Sequence, residues 1–170
     1  MDLPDQALWD CYAGGQDEAF AEVRRRYQGE LFRYLQLSLG EVGAAAAQLG
    51  RALGLARNHR GPHEGFDSLR GWLLAVATQA CVPAHIPQDD GLAAWLSDLR
   101  RPKAGSEDEL LREALRDIRH EVKQPFLLVV VMGLAVEEAA KACRFSVRRT
   151  ERCVLRACRE LAALRVFKGD

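Results

Sequence analysis

Residues 133–165 read GLAVEEAAKACRFSVRRTERCVLRACRELAALR, and this stretch decides the fold. Glu137 to Cys143 has the composition of a short helix, Arg144-Phe145-Ser146 makes a tight turn, and Val147 to Leu164 continues as a long helix with five arginines. Short helix, turn and long helix together describe a helix-turn-helix, whose second helix enters the DNA major groove. At about 100° per residue, Arg148, Arg149, Arg152, Arg156 and Arg159 share roughly one third of the helix circumference. Val147, Val154, Ala157, Cys158, Leu161 and Leu164 fall on the opposite side. Ser146 is the expected N-cap, leaving free N–H groups and the positive dipole end near Val147 and Arg148. A merely solvated face mixes signs, with Glu four residues before Lys or Arg. Only Glu151 and Glu160 interrupt this one, so the face points to DNA or another acidic partner. Arg148, Arg149 and Arg152, near the helix start, are the candidate base readers. Arg156 and Arg159 are better placed for phosphates.

Charge along the rest of the chain supports the same polarity. The 170 residues carry zero formal net charge. Residues 1–100 hold 9 Lys+Arg against 13 Asp+Glu, whereas residues 101–170 hold 15 against 11, and 144–168 alone hold 8 against 2. Positive charge is thus concentrated at the last helix, as a local phosphate-binding face requires. A neutral whole is weak for a protein that must hold DNA alone, because phosphate contacts supply most non-specific affinity. A protein partner is therefore expected.

The remaining sequence reads as all helix: Ala, Leu, Arg and Glu dominate and strand-like alternation is absent. Helices are expected over Pro4 to Ala13, Asp17 to Gln28, Glu30 to Leu39 and Glu41 to Asn58, followed by a loop at His59 to Gly65. Ser68 should cap a helix holding Leu69, Trp72, Leu73, Val76 and Ala77. Residues 87–105 read as a linker, rich in Pro and Gly, within which Leu92 to Leu99 with Trp95 could form a short helix. A second unit opens at Ser106, which forms a capping box with Glu109. Leu110, Leu111, Ala114, Leu115 and Ile118 make the stripe of its first helix. Glu121 to Met132 follows, with Pro125 in the first turn or so, Phe126 to Met132 as its core run, and Gly133 as its stop. The expected architecture is all-α, with a helical domain over 1–86, the linker over 87–105 and a helix-turn-helix domain over 106–170. Trp9 and Trp72 are expected core anchors.

Other chemistries find little support. Cys11, Cys81, Cys143, Cys153 and Cys158 are an odd, scattered set with no Cys-x-x-Cys, read as reduced, buried thiols. His59 with His63, and Cys81 with His85, have metal-ligand spacing, but Gly61-Pro62 and Pro83 break the helix each pair would need. No metal or cofactor is expected. No His sits in a nucleophile–base–carboxylate setting and no Gly pattern cradles a phosphate, so no enzyme is expected. The longest apolar run, Phe126 to Met132, is too short to span a bilayer, and no basic segment precedes an apolar stretch at the start. The expected compartment is the cytoplasm.

Both halves resemble bacterial RNA polymerase sigma factors of the extracytoplasmic-function group. Tyr12-Ala-Gly-Gly-Gln-Asp-Glu-Ala-Phe20 looks like the family's Gly-Asp-x-x-Ala-Phe start, continued by Arg26-Tyr27, Leu31 and Tyr34. Leu69-Arg-Gly-Trp-Leu-Leu-Ala-Val-Ala77 is close to its Trp-Leu-x-x-Ile-Ala. Leu111-Arg-Glu-Ala-Leu115, Phe126-Leu127-Leu128 and Gly133-Leu134 stand where its fourth region opens. Glu137-Glu138-Ala-Ala-Lys141 resembles Tyr-Glu-Glu-Ile-Ala, Ser146-Val147 opens the helix that reads the promoter's −35 element, and Arg156-Ala157 matches the usual Arg-Ala. The resemblance implies promoter DNA and core RNA polymerase as partners, together with an anti-sigma or other regulatory protein.

The departures are as specific. The family's acidic polymerase-gripping run is here Ala45-Ala46-Ala47-Gln48-Leu49-Gly50-Arg51, without its acidic pair. After Ala77 the −10-handling residues are replaced by Thr78 to Ile86, without Arg or Asp. Arg119 stands for the family's Pro, and Arg148 and Arg149 replace a small residue and Thr. Region 2 is therefore degenerate in its working surfaces while its apolar skeleton is kept. Two alternatives follow: a sigma-fold interaction regulator that no longer initiates transcription, and an independent helix-turn-helix repressor acting as a dimer on half-sites one DNA turn apart.

Overall fold

The computed structural model describes residues 3–59, 65–81 and 106–167, with side chains to 164. Every element among them is helical. The expected linker, Trp95, His63 and His85 lie outside the described residues.

The first half holds α1 (Asp5–Ala13), α2 (Asp17–Leu39), α3 (Val42–Asn58) and α4 (Leu69–Ala80). The expected break between Gln28 and Glu30 does not occur; α2 runs unbroken through Gly29. An interior Gly costs a helix about 1 kcal/mol. Val23, Tyr27, Leu31, Tyr34 and Leu35 form one buried stripe across it, and burying each such side chain contributes roughly 1.5–3 kcal/mol. Tertiary burial therefore overrides local propensity. Gly40, at φ 77°, is what stops the helix. Ser68 caps α4 as expected, its Oγ accepting from the Gly71 N–H at 2.9 Å. The core between these helices is pinned by Tyr12, whose hydroxyl donates to the Ala56 carbonyl, and by Tyr34, paired with Thr78 Oγ1 at 2.8 Å. Trp72 is buried and Trp9 half-buried against the same core.

The second half holds α5 (Glu107–Ala114), α6 (His120–Phe126), α7 (Val136–Cys143) and α8 (Val147–Phe167). Ser106 Oγ caps α5 through the Glu109 N–H at 3.3 Å. The expected stripe is split, because α5 ends at Ala114. Leu115 and Ile118 are buried in the turn that follows, while Leu110 is 60% exposed. Pro125 is the sixth residue of α6, beyond the first turn. It offers no N–H to the Glu121 carbonyl, and its ring crowds that carbonyl. The helix then widens over Leu127–Val131 into a π-type turn, closed by the Met132 N–H on the Leu127 carbonyl at 2.8 Å. Phe126, Leu127, Leu128 and Met132 are buried as expected of the core run, whereas Val130 faces solvent.

The halves share one continuous core. α7 packs on α4, and Gly71 leaves room for the Glu138 side chain at this contact: a Cβ there would lie 2.5 Å from Glu138 Oε1. Around this seam Ser68 Oγ donates to Glu138 Oε1 at 3.3 Å, and Arg33 donates to both Asp108 oxygens through Nε and Nη2 at 2.7–3.0 Å. Arg70 donates to Glu30 and to the Met132 carbonyl, and Arg112 to the Gly40 carbonyl at 3.1 Å. Lys123 Nζ, buried, reaches the Ser38 carbonyl at 3.4 Å, and burial lowers its pKa.

All five cysteines are unpaired. Burial pushes Cys81 up to about 11 and Cys143 up to about 12. The expectation of buried thiols is met only in part: Cys11, Cys81, Cys143 and Cys153 are half-buried, and Cys158 is exposed. No described helix is long and apolar enough to cross a membrane.

Candidate nucleic-acid interface

The turn between α7 and α8 is built by Arg144, the one described non-glycine residue with positive φ (56°). Its N–H bonds the Lys141 carbonyl at 3.1 Å, and the Phe145 N–H bonds the Ala140 carbonyl at 2.9 Å. This pair of bonds is a Schellman closure, which turns the chain sharply and satisfies the last carbonyls of α7. Arg144 also donates to Gln79 Oε1 at 3.2 Å, tying the turn to the end of α4. Ser146 then caps α8, its Oγ accepting from the Arg149 N–H at 3.3 Å. Thr150, fully buried, locks the first turn through its own bond to the Ser146 carbonyl at 3.2 Å.

Beyond the cap, α8 is amphipathic as its spacing predicts. Ala157 is fully buried, and Cys153, Val154 and Leu161 are half-buried against α6 and α7. The apolar side is less complete than expected, because Val147 is 40% and Leu164 37% exposed. They sit toward the two ends of a helix that outruns the elements supporting it. Ser146, Arg148, Arg149, Arg152, Arg156 and Arg159 are all exposed. The arginine row is therefore neither buried nor turned inward.

Its members differ in what holds them. Arg148, Arg152 and Arg159 have no carboxylate partner among the described residues. Arg156 Nε pairs with Glu160 Oε1 at 2.7 Å on the same helix. Arg149 is held from outside α8. Its Cζ lies 3.8 Å above the centre of the Phe145 ring, and its Nη2 is 3.4 Å from Glu121 Oε2. The other Glu121 oxygen is 3.6 Å from Arg119 Nη1. Phe145 and Arg149 are four residues apart, a spacing that could have signalled the stacking. Glu121 lies 28 residues away, and no sequence pattern marked it.

Among the described residues, the first half offers no comparable face where the resemblance would place one. Ala45, Ala46 and Leu49 are buried in α3, and Arg51 donates to the Ala80 carbonyl at 3.4 Å. Thr78 is buried and spent on Tyr34 and the Leu74 carbonyl. Among the described residues, no three His, Cys, Asp or Glu side chains are grouped to hold a metal ion.

No protein-family model matches this chain, and no curated protein matches it. Among solved structures, it is similar to CnrH in its complex with the cytosolic domain of CnrY. The TM-score is 0.67, over 94% of this chain and 96% of CnrH, at 21% identity. At this identity the likeness is one of fold, and in this chain every described element of that fold is helical.

Proposed function

We propose that this chain is a sigma-like transcription factor that binds promoter duplex through α8 and works with core RNA polymerase. The observation that carries this reading is the row of five exposed arginines on one capped helix, three of them without a carboxylate. A guanidinium with no internal partner keeps its whole charge for phosphate or base edges. Helix-turn-helix geometry presents such a row to the major groove. The two halves form the two domains of this reading, 1–86 and 106–170. CnrH was solved with the cytosolic domain of CnrY, and a regulatory protein of comparable role is a further partner in this proposal.

Reconstituted transcription with core enzyme, with and without the chain, tests it. Initiation that depends on the chain, and is lost in the Arg148→Ala/Arg152→Ala variant, is the expected result. Core enzyme that neither binds the chain nor initiates would remove it.

A second reading is favoured by a separate observation. Ala46 packs inward and Ala47 is half-buried where the family carries its acidic pair, so the segment expected to grip polymerase is turned largely toward the core. On that reading the chain is a sigma-fold regulator acting through protein contacts. Core association in a pull-down, with bound core competent to initiate, would eliminate it.

A further inference from the structure

We infer that Arg149 is the base-reading arginine of α8, that the base it reads is guanine, and that Glu121 and Phe145 are its positioning residues. This rests on the proposal that α8 binds duplex DNA, and it narrows the three candidate base readers of the sequence to one.

Two residues at which the chain departs from the sigma pattern, Arg119 and Arg149, meet at one carboxylate. Glu121 accepts from Arg149 Nη2 at 3.4 Å and lies 3.6 Å from Arg119 Nη1. The Arg149 guanidinium lies over the Phe145 ring at 3.8 Å. A plane stacked on a ring and tethered at one nitrogen has lost most of its rotational freedom before any ligand arrives. The side chain is still 47% exposed, which leaves the guanidinium accessible to a ligand. Arginine carries its donors in a rigid planar fork that matches the O6 and N7 acceptors of guanine in the major groove. Holding that fork in advance removes ordering entropy from the binding step, which is what preorganisation contributes.

Position agrees with this role. Arg149 is the third residue of α8, beside the Ser146 cap, and the start of a recognition helix is the part that reaches base edges. Arg148, Arg152 and Arg159 have no such carboxylate or ring among the described residues, and a guanidinium without a fixed partner suits phosphates, whose recognition tolerates several geometries. Glu121 also partly offsets the Arg149 charge. Arg149 therefore gives up non-specific attraction and keeps directional hydrogen bonding.

Selection from a pool of randomised duplexes by the full chain, alone and with core enzyme, tests the assignment. Wild type should enrich one guanine per site that Arg149→Ala no longer enriches, with discrimination at that position falling ~10- to 100-fold. Arg149→Lys keeps the charge but not the fork, and should lose the same guanine. Glu121→Gln and Phe145→Leu should keep the preferred base while weakening its selection several-fold, and Glu121→Gln should bind unselected duplex more tightly. The assignment is overturned if Arg149→Ala weakens all duplexes evenly and leaves the consensus intact, or if Arg149→Lys behaves as wild type; Arg149 would then be a phosphate ligand. A wild-type chain that enriches no sequence in either setting would overturn this assignment and the DNA-binding proposal together. An unchanged thermal midpoint in each variant separates these outcomes from misfolding.

Discussion

Four arginines on α2 and α4 and three on α8 do opposite things. Arg25, Arg26, Arg33 and Arg70 are spent on carboxylates and carbonyls. Arg25 and Arg26 both grip the buried Glu22, at 2.7 and 2.6 Å, and Arg26 reaches Asp5 at 3.1 Å. Arg33 holds Asp108, and Arg70 holds Glu30 and the Met132 carbonyl. On α8, Arg148, Arg152 and Arg159 hold no carboxylate among the described residues. The same side chain is a structural clasp where its donors are spent at home, and a docking group where they are left open. Counting arginines along the sequence does not separate the two roles; their partners do.

Variants can break this contrast, and the largest effect is expected at Arg70. Arg70→Ala strands the Glu30 carboxylate and the Met132 carbonyl at the seam between the halves. Urea unfolding should show a loss of about 1–3 kcal/mol, the penalty for removing one partner from part-buried polar groups. Duplex binding, measured on the folded variant, should not change.

Acid should discriminate next. Hydrogen bonds from Arg25 and then Arg26 hold the Glu22 carboxyl at about 2, against 4.5 for the free group. A carboxyl whose pKa is depressed on folding adds stability that is complete above its unfolded value and is lost as pH falls toward the folded one. Unfolding midpoints should therefore drop between about pH 4.5 and pH 2, and Glu22→Gln should flatten that step. Replacing the unpaired α8 arginines should leave it unchanged.

Arg33 and Asp108 form a part-exposed pair, 46% and 33% accessible. A double-mutant cycle should return a coupling of roughly 0.2–1 kcal/mol, as for solvent-screened pairs. The smallest stability effect belongs to Arg152→Ala, expected within about 0.5 kcal/mol of wild type because the side chain supports nothing. A clear destabilisation there would mean that Arg152 has a structural role after all.

Local features of the fold were legible because their causes are local. Ser68, Ser106 and Ser146 cap helices where the sequence places them, and Gly40 and Gly133 close two others. The turn at Arg144 lies where predicted, although an arginine takes the left-handed position that glycine usually fills. What escaped the sequence was decided at a distance. Gly29 reads as a breaker until the buried stripe on both sides of it is weighed. Pro125 gives no sign that the turn after it widens, since its effect falls on a carbonyl four residues earlier. Leu110 looks like core, and its exposure follows only from α5 ending at Ala114.

The candidate site divides in the same way. The exposure of Arg148, Arg149, Arg152, Arg156 and Arg159 on one face followed from helical periodicity alone. That Arg149 is gripped from α6 while Arg148 and Arg152 are not depends on how two helices 28 residues apart in sequence pack. The seam between the halves was equally hidden, because Arg33 and Asp108 are separated by 75 residues. Periodicity finds a face; only packing finds its partners.

A salt titration of duplex binding tests the central claim most directly. The full chain and its Arg148→Ala/Arg152→Ala/Arg159→Ala variant would be titrated against one selected duplex by fluorescence anisotropy over a range of salt concentrations. Each phosphate contact contributes about 0.9 to the slope of log affinity against log salt. The account predicts that the variant binds more weakly and that its slope is shallower by roughly 2–3. Equal affinity and equal slope for the two proteins would contradict it.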